Sequence, residues 1–216
     1  MDRDIKMILI TVLLCCTHCS QPLSPVAGGN TSEVGNGMVV GRVVDPDGLP
    51  KQGVSVRAVP VDYAPSSEDI TIDTFPRAVT DEHGSYTLQD LELNIYNLEA
   101  HFDTLAIYYD SLPVTDTETV NAPDLMLTAT GTVIGVAYMR GLDDYSQIRM
   151  AVFIPGTSWR TNPLPGGQFY LRGIPAGDYQ LQIKSWLPGY YSYMLDITVP
   201  ARDTLDLDII YIDKYQ

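Results

Sequence analysis

Beyond residue 36 the chain alternates apolar and polar residues with a period of two, the pattern of strands that bury one face. Met38-Val-Val-Gly-Arg-Val-Val44, Val54-Ser-Val-Arg-Ala-Val59, Ser85-Tyr-Thr-Leu88 and Tyr96-Asn-Leu-Glu-Ala100 form one series. Thr132-Val-Ile-Gly-Val-Ala-Tyr138, Ile148-Arg-Met-Ala-Val-Phe153, Phe169-Tyr-Leu171, Tyr179-Gln-Leu-Gln-Ile183 and Thr204-Leu-Asp-Leu-Asp-Ile-Ile-Tyr211 form a second. Between them stand turn sequences: Asp45-Pro-Asp-Gly48, Asp81-Glu-His-Gly84, Leu164-Pro-Gly-Gly167 and Pro175-Ala-Gly-Asp178. Glycine, proline and aspartate reverse the chain because each favours a turn conformation at low cost. No apolar stripe of helical period appears. Short strands broken by such turns predict an all-β chain built from antiparallel sandwiches.

The two series are one pattern written twice. At an offset of 83, Gly84 matches Gly167, Tyr86 matches Phe169, Leu88 matches Leu171, Leu91 matches Ile174, Tyr96 matches Tyr179 and Leu98 matches Leu181. Upstream the offset is 94, pairing Val39 with Val133, Gly41 with Gly135, Val54 with Ile148, Val56 with Met150 and Ala58 with Val152. The change of offset locates one loop, Val61 to Arg77, as long in the first copy and short in the second. A repeat of this length predicts two tandem modules, residues 37–128 and 129–216, with the boundary near Leu127–Gly131. Val39, Val43, Val54, Val56, Tyr86, Leu88, Tyr96 and Leu98 are the expected first core, and their matches the second. A module of roughly 90 residues buries around 60–65 % of its unfolded surface, enough for one modest core.

The string Gly-x-Val-x-Gly-x-Val-x-Asp-x-x-Gly-x-Pro over residues 37–50, then Thr80-Asp81-x-x-Gly84-x-Tyr86-x-Leu88, resembles the carboxypeptidase regulatory-like domain. The second copy keeps Gly131-x-Val-x-Gly135 and Gly167-x-Phe-x-Leu-x-Gly-Ile-Pro-Ala-Gly-x-Tyr179, with Asn162 and Pro163 where the Thr-Asp pair would stand. The resemblance implies prealbumin-like, seven-stranded antiparallel sandwiches in a superfamily that includes starch-binding domains. It implies no catalytic activity, since the peptidase domain that gives the family its name has no counterpart here, and fold alone fixes no function. Related modules of Gram-positive surface proteins join a lysine to an asparagine. That bond needs a lysine on an early strand, and Lys51 sits in a turn.

Residues 1–15 read as a signal segment. The apolar run Met7-Ile-Leu-Ile-Thr-Val-Leu-Leu14 is well short of the roughly 20 residues that span a bilayer. Leu13-Leu-Cys-Cys16 resembles a bacterial lipobox, with leucine at −3, so Cys16 is the expected lipidated residue and the membrane, through that lipid, an expected partner. The expected address is the bacterial cell envelope, at the outer membrane. Residues 16–36 are rich in Ser, Thr, Pro, Gly and Asn, a composition that cannot bury enough surface to fold. As a coil, such a tether would reach on the order of 25 Å. No cysteine follows Cys19, so packing and not disulfides must hold the modules.

The formal charge is −14, and it stays −14 without residues 1–15. That balance sets the chain against phosphate-rich partners and excludes nucleic acid. Past the signal region the histidines are His83, in a turn, and His101, at a strand end. No Cys-x-x-Cys, His-Glu-x-x-His or phosphate-binding glycine loop occurs, so no catalytic residue, metal ligand or cofactor is expected. An enzyme would need one of the two histidines beside a carboxylate and a pocket. The acidic clusters Asp45/Asp47, Glu68/Asp69/Asp73 and Asp143/Asp144 lack the Asp-x-Asp-x-Asp-Gly spacing of a calcium loop and are explained by turns.

One segment hints at a ligand. Lys184-Ser-Trp-Leu-Pro-Gly-Tyr-Tyr-Ser-Tyr193 concentrates Trp186, Tyr190, Tyr191 and Tyr193, with Trp159 on a loop expected nearby. Alternation sets Tyr191 and Tyr193 on one face and Tyr190 on the other, one face for the core and one for a sugar-stacking platform. The sequence therefore predicts a non-catalytic, lipid-anchored binding or scaffold protein of the cell envelope, with polysaccharide or another envelope protein as its expected partner. The alternative is a polysaccharide binder using these aromatics.

Overall fold

A computed structural model of the chain describes residues 37–66, 74–115, 118–142 and 149–215. Cys16, the tether and the acidic clusters Glu68/Asp69/Asp73 and Asp143/Asp144 lie outside the described residues. Those described form strands and turns, with no helix. In chain order the first module holds β1 (Gly37–Val44), β2 (Ser55–Pro60), β3 (Arg77–Val79), β4 (Ser85–Leu91), β5 (Asn94–Phe102), β6 (Leu105–Val114), β7 (Thr119–Asn121) and β8 (Leu125–Met126). The second holds β9 (Thr128–Met139), β10 (Met150–Phe153), β11 (Arg160–Thr161), β12 (Gln168–Pro175), β13 (Gly177–Ser185), β14 (Tyr193–Val199) and β15 (Thr204–Ile212).

Each module is a sandwich of two layers. In the first, β1 lies between β4 and the β7/β8 strand, facing the layer β3-β2-β5-β6. In the second, β9 lies between β12 and β15, facing β11-β10-β13-β14. The sheets are antiparallel as expected, with one parallel pairing in each copy. The last strand returns beside the first in parallel, β7 and β8 along β1 and β15 along β9.

Two separate cores follow. All eight residues expected in the first are buried there, with Leu112, Val114, Leu125 and Leu127 added. The second is built on Val133, Met150, Phe169, Leu171 and Leu181; the match of Val54, Ile148, lies outside the described residues.

The repeated positions have physical reasons. Gly41 is paired with Tyr86 across the β1–β4 ladder, and Gly135 with Phe169 across β9–β12. A side chain on either glycine would stand 2.5 Å from the Tyr86 hydroxyl or 2.8 Å from the Phe169 ring, so the aromatic lies over bare backbone. Gly84 and Gly167 turn the chain at φ of 72° and 88°, where a Cβ would run into the carbonyls of Val43 and Ala137. Tyr96 donates its hydroxyl to the Glu92 carbonyl and Tyr179 to the Pro175 carbonyl, both at 2.9 Å, the same four-residue tyrosine corner in each copy.

Candidate functional site

The turn motif is structural. Thr80, buried, donates to the Lys51 carbonyl at 2.6 Å and accepts from the Val54 N–H at 2.9 Å. Asp81 accepts the N–H groups of His83 and Ser85. Asp45 does the same for Asp47 and Leu49, so its carboxylate serves its own turn. Among the described residues, no three His, Cys, Asp or Glu side chains come together as a metal cluster.

The modules meet through a polar contact that period-two reading assigns to solvent. On β5, Tyr96, Leu98 and Ala100 face the first core, and Asn97 and Glu99 face away from it. Both are buried all the same, Glu99 completely. The β10–β11 connection of the second module covers them. Glu99 accepts the Ser158 N–H at 2.6 Å and the Ser158 hydroxyl, and His101 Nε2 lies 3.4 Å from it. Asn97 donates to the Gly156 carbonyl and accepts the Ser111 N–H. The Gly156 N–H donates to the Tyr63 carbonyl, and Arg57 donates to the Ser158 hydroxyl. Every Glu99 oxygen is thus engaged, which is how a fully desolvated carboxylate is tolerated. A short ladder, Leu105↔Ala129 and Ala106↔Thr128, also joins β6 to β9.

Trp159 belongs to this junction. It is 5 % exposed, gives its indole N–H to the Gly173 carbonyl at 3.0 Å, and packs edge-on against Tyr108 and Tyr179 with His101 beside it. Burial pushes the Tyr179 hydroxyl up to about 12, with the Glu99 charge adding to it, and pushes Tyr108 higher still. Tyr179 is half-buried where its copy-one match Tyr96 is buried, and its ring also meets Tyr108 of the first module edge-on.

His101 does stand beside a carboxylate and lines a cavity, as an enzyme would require. The order of the bonds is wrong for a nucleophilic triad. The serine hydroxyl and the histidine both contact Glu99, and the hydroxyl's other partner is Arg57, so no imidazole is placed to take the Ser158 proton. His83 is exposed next to Glu82, at 3.6 Å.

The remaining predicted aromatics divide as alternation requires. Tyr190 is buried in the second core, its hydroxyl donating to the Arg140 carbonyl at 3.2 Å. Trp186 is half-buried, with Lys184 Nζ 6.0 Å from its ring. Tyr191 and Tyr193 are 54 % and 42 % exposed. Trp159 and Tyr190 therefore present no ring to solvent and leave the predicted platform. Three tyrosines that local sequence did not group join it. Tyr215 packs edge-on against Tyr191 at 4.3 Å, and Tyr211 meets Tyr138 at 5.7 Å under the Arg140 guanidinium. Tyr191, Ser192, Tyr193, Tyr211 and Asp213 line a shallow depression of about 220 Å³. Backbone bonds from Tyr191 to Asp213 and from Tyr215 to Gly189 fix the C-terminal segment along its side.

No protein-family model matches the chain, and no curated protein matches it. Solved structures similar to it include the minor pilin GBS52 of Streptococcus agalactiae, 12 % identical, matched over 83 % of this chain and 97 % of that one at a TM-score of 0.36. A streptococcal ancillary pilin is 16 % identical over 85 % of this chain, which spans 64 % of it, at 0.33. The shaft pilin SpaA of Lactobacillus rhamnosus GG is 14 % identical, with 84 % and 98 % covered, at 0.29.

Proposed function

We propose that this chain is a non-catalytic, lipid-anchored binding protein of the bacterial cell envelope, whose second module holds polysaccharide on an exposed tyrosine surface. The observation that carries the reading is the convergence of Tyr191, Tyr193 and Tyr211 around one depression, with Tyr215 against Tyr191. Tyrosines this exposed gain little for the fold. They offer an apolar ring face and a hydroxyl together, which suits a sugar ring. Ser192 and Asp213 add hydrogen-bonding groups at the rim. Support for the anchor comes from Leu13-Leu-Cys-Cys16, and the Thr80-Asp81-x-x-Gly84 turn supports kinship with carboxypeptidase regulatory-like modules. Without a polysaccharide ligand, the same anchored modules remain a scaffold for another envelope protein.

Electrophoresis of residues 37–216 through gels containing glucan, xylan or mannan tests the ligand. Retardation by one of them is expected, with loss of retardation and little change of Tm in Tyr191→Ala and Tyr211→Ala. If no gel retards the parent protein, the carbohydrate reading is withdrawn. The anchor is tested separately: Cys16→Ser should leave the membrane fraction, and its persistence there would overturn the lipid assignment.

A further inference from the structure

A second site, independent of the tyrosine surface, lies at the module junction. A cavity of about 300 Å³ is lined by Arg57, His101, Trp159, Arg160 and Arg172, with further backbone from Gly173. That volume is at the small end of ligand pockets. The chain has nine arginines and a net charge of −14, yet three of the nine come to this one cavity from β2, β11 and β12. Two other arginines meet carboxylates: Arg42 is paired with Asp124, and Arg140 with Asp213 at 3.5 Å. Arg160 and Arg172 have no carboxylate partner among the described residues. Arg172 instead lies 5.6 Å from the Tyr170 ring centre.

The one carboxylate in the neighbouring wall is Glu99, and its oxygens are already taken by Ser158 and His101. Arg57 reaches that carboxylate through Ser158, donating to the hydroxyl that in turn donates to Glu99. Arg160, half-buried, and Arg172, exposed, line the same open cavity with no carboxylate paired to either among the described residues. A planar guanidinium bonds an oxyanion through paired N–H groups, the geometry that makes arginine the usual partner of carboxylate and sulfate.

We propose that this cavity binds the carboxylate or sulfate group of a small polar ligand, with Arg160 and Arg172 as its charged partners. Trp159 forms part of the apolar wall, and its indole N–H is committed to the Gly173 carbonyl, so it adds shape and no charge.

Calorimetric titration of the full chain with sodium galacturonate, sodium sulfate and glucose tests this. Galacturonate binding, displaced by sulfate, is expected and identifies a sugar acid. Binding of sulfate without galacturonate also sustains the oxyanion site and identifies a free inorganic ligand. Glucose should not displace galacturonate. Arg160→Gln and Arg172→Gln should each weaken binding at least tenfold with Tm unchanged, whereas Arg202→Gln, on an exposed turn that does not line the cavity, should leave it intact. Three results would overturn the proposal: no binding of either anion at millimolar concentration, displacement of galacturonate by glucose, or galacturonate affinity lost in Tyr191→Ala but kept in both arginine variants.

Discussion

Tyr86 and Phe169 fill the same place in two copies of one fold, and the difference between them is a single hydroxyl. In the second copy the ring closes over Gly135 with no polar atom. In the first, the Tyr86 hydroxyl is buried without a hydrogen-bond partner, and burial holds its proton far above the ordinary tyrosine range. An unsatisfied buried hydroxyl costs on the order of 1–3 kcal/mol, part of which its removal recovers. Tyr86→Phe is therefore expected to leave Tm unchanged or raise it by a few degrees. A fall in Tm would show that the hydroxyl has a partner worth keeping. Gly41 and Gly135, and Tyr86 and Phe169, were legible in the sequence as repeated positions, the glycines at offset 94 and the aromatics at 83; that each aromatic lies over its glycine was not. Trp159 was not. It lies in the connection whose length differs between the copies, and its burial comes from His101 and Tyr108, residues of the other module. A period-two pattern reports one layer of contact and cannot say what covers the outer face of a strand.

β5 shows the same limit at the level of an element. Its inner face was predicted residue by residue, while its outer face, Asn97 and Glu99, reads as solvent-facing and is instead the junction. The one sequence signal lies in the repeat: the matching positions at offset 83 are Gln180 and Gln182, neither of them ionisable nor buried. β6 was missed because a bulge interrupts its alternation. Tyr96 pairs with Leu112 and Leu98 with Tyr109, so one extra residue sits on β6, with Ser111 at a φ of 60°. The junction that β5, β6 and the β10–β11 connection form should respond to alkali. Tyr179 and Tyr108 have folded pKa values raised above the usual 10.0, Tyr179 to about 12. A raised pKa contributes stability that is fully present below pH about 10 and is lost as pH climbs through the folded value. Stability should thus fall between pH 10 and 12, with the last tyrosinate absorbance appearing together with unfolding. Complete tyrosine ionisation below pH 11, with the fold intact, would contradict the packing described for these rings.

On the scale of the whole molecule, two sandwiches with separate cores are joined by a buried carboxylate, a buried tryptophan and a two-residue ladder. The predicted boundary near Leu127–Gly131 is occupied by the start of β9, already paired to β6 at Thr128 and Ala129. Separation of the modules would expose Glu99, Asn97 and Trp159 at once, so neither module should open without the other losing stability. This coupling is the central claim, because it builds the junction cavity from both modules and fixes the tyrosine surface to the first module. Differential scanning calorimetry of residues 37–216 tests it most directly. One transition is expected, with the van't Hoff and calorimetric enthalpies equal. Trp159→Ala, which removes a buried aromatic at a cost of about 3–5 kcal/mol, should split that transition in two. Two transitions in the parent protein, each with its own matching enthalpies, would contradict the account and make the modules independent beads on a chain.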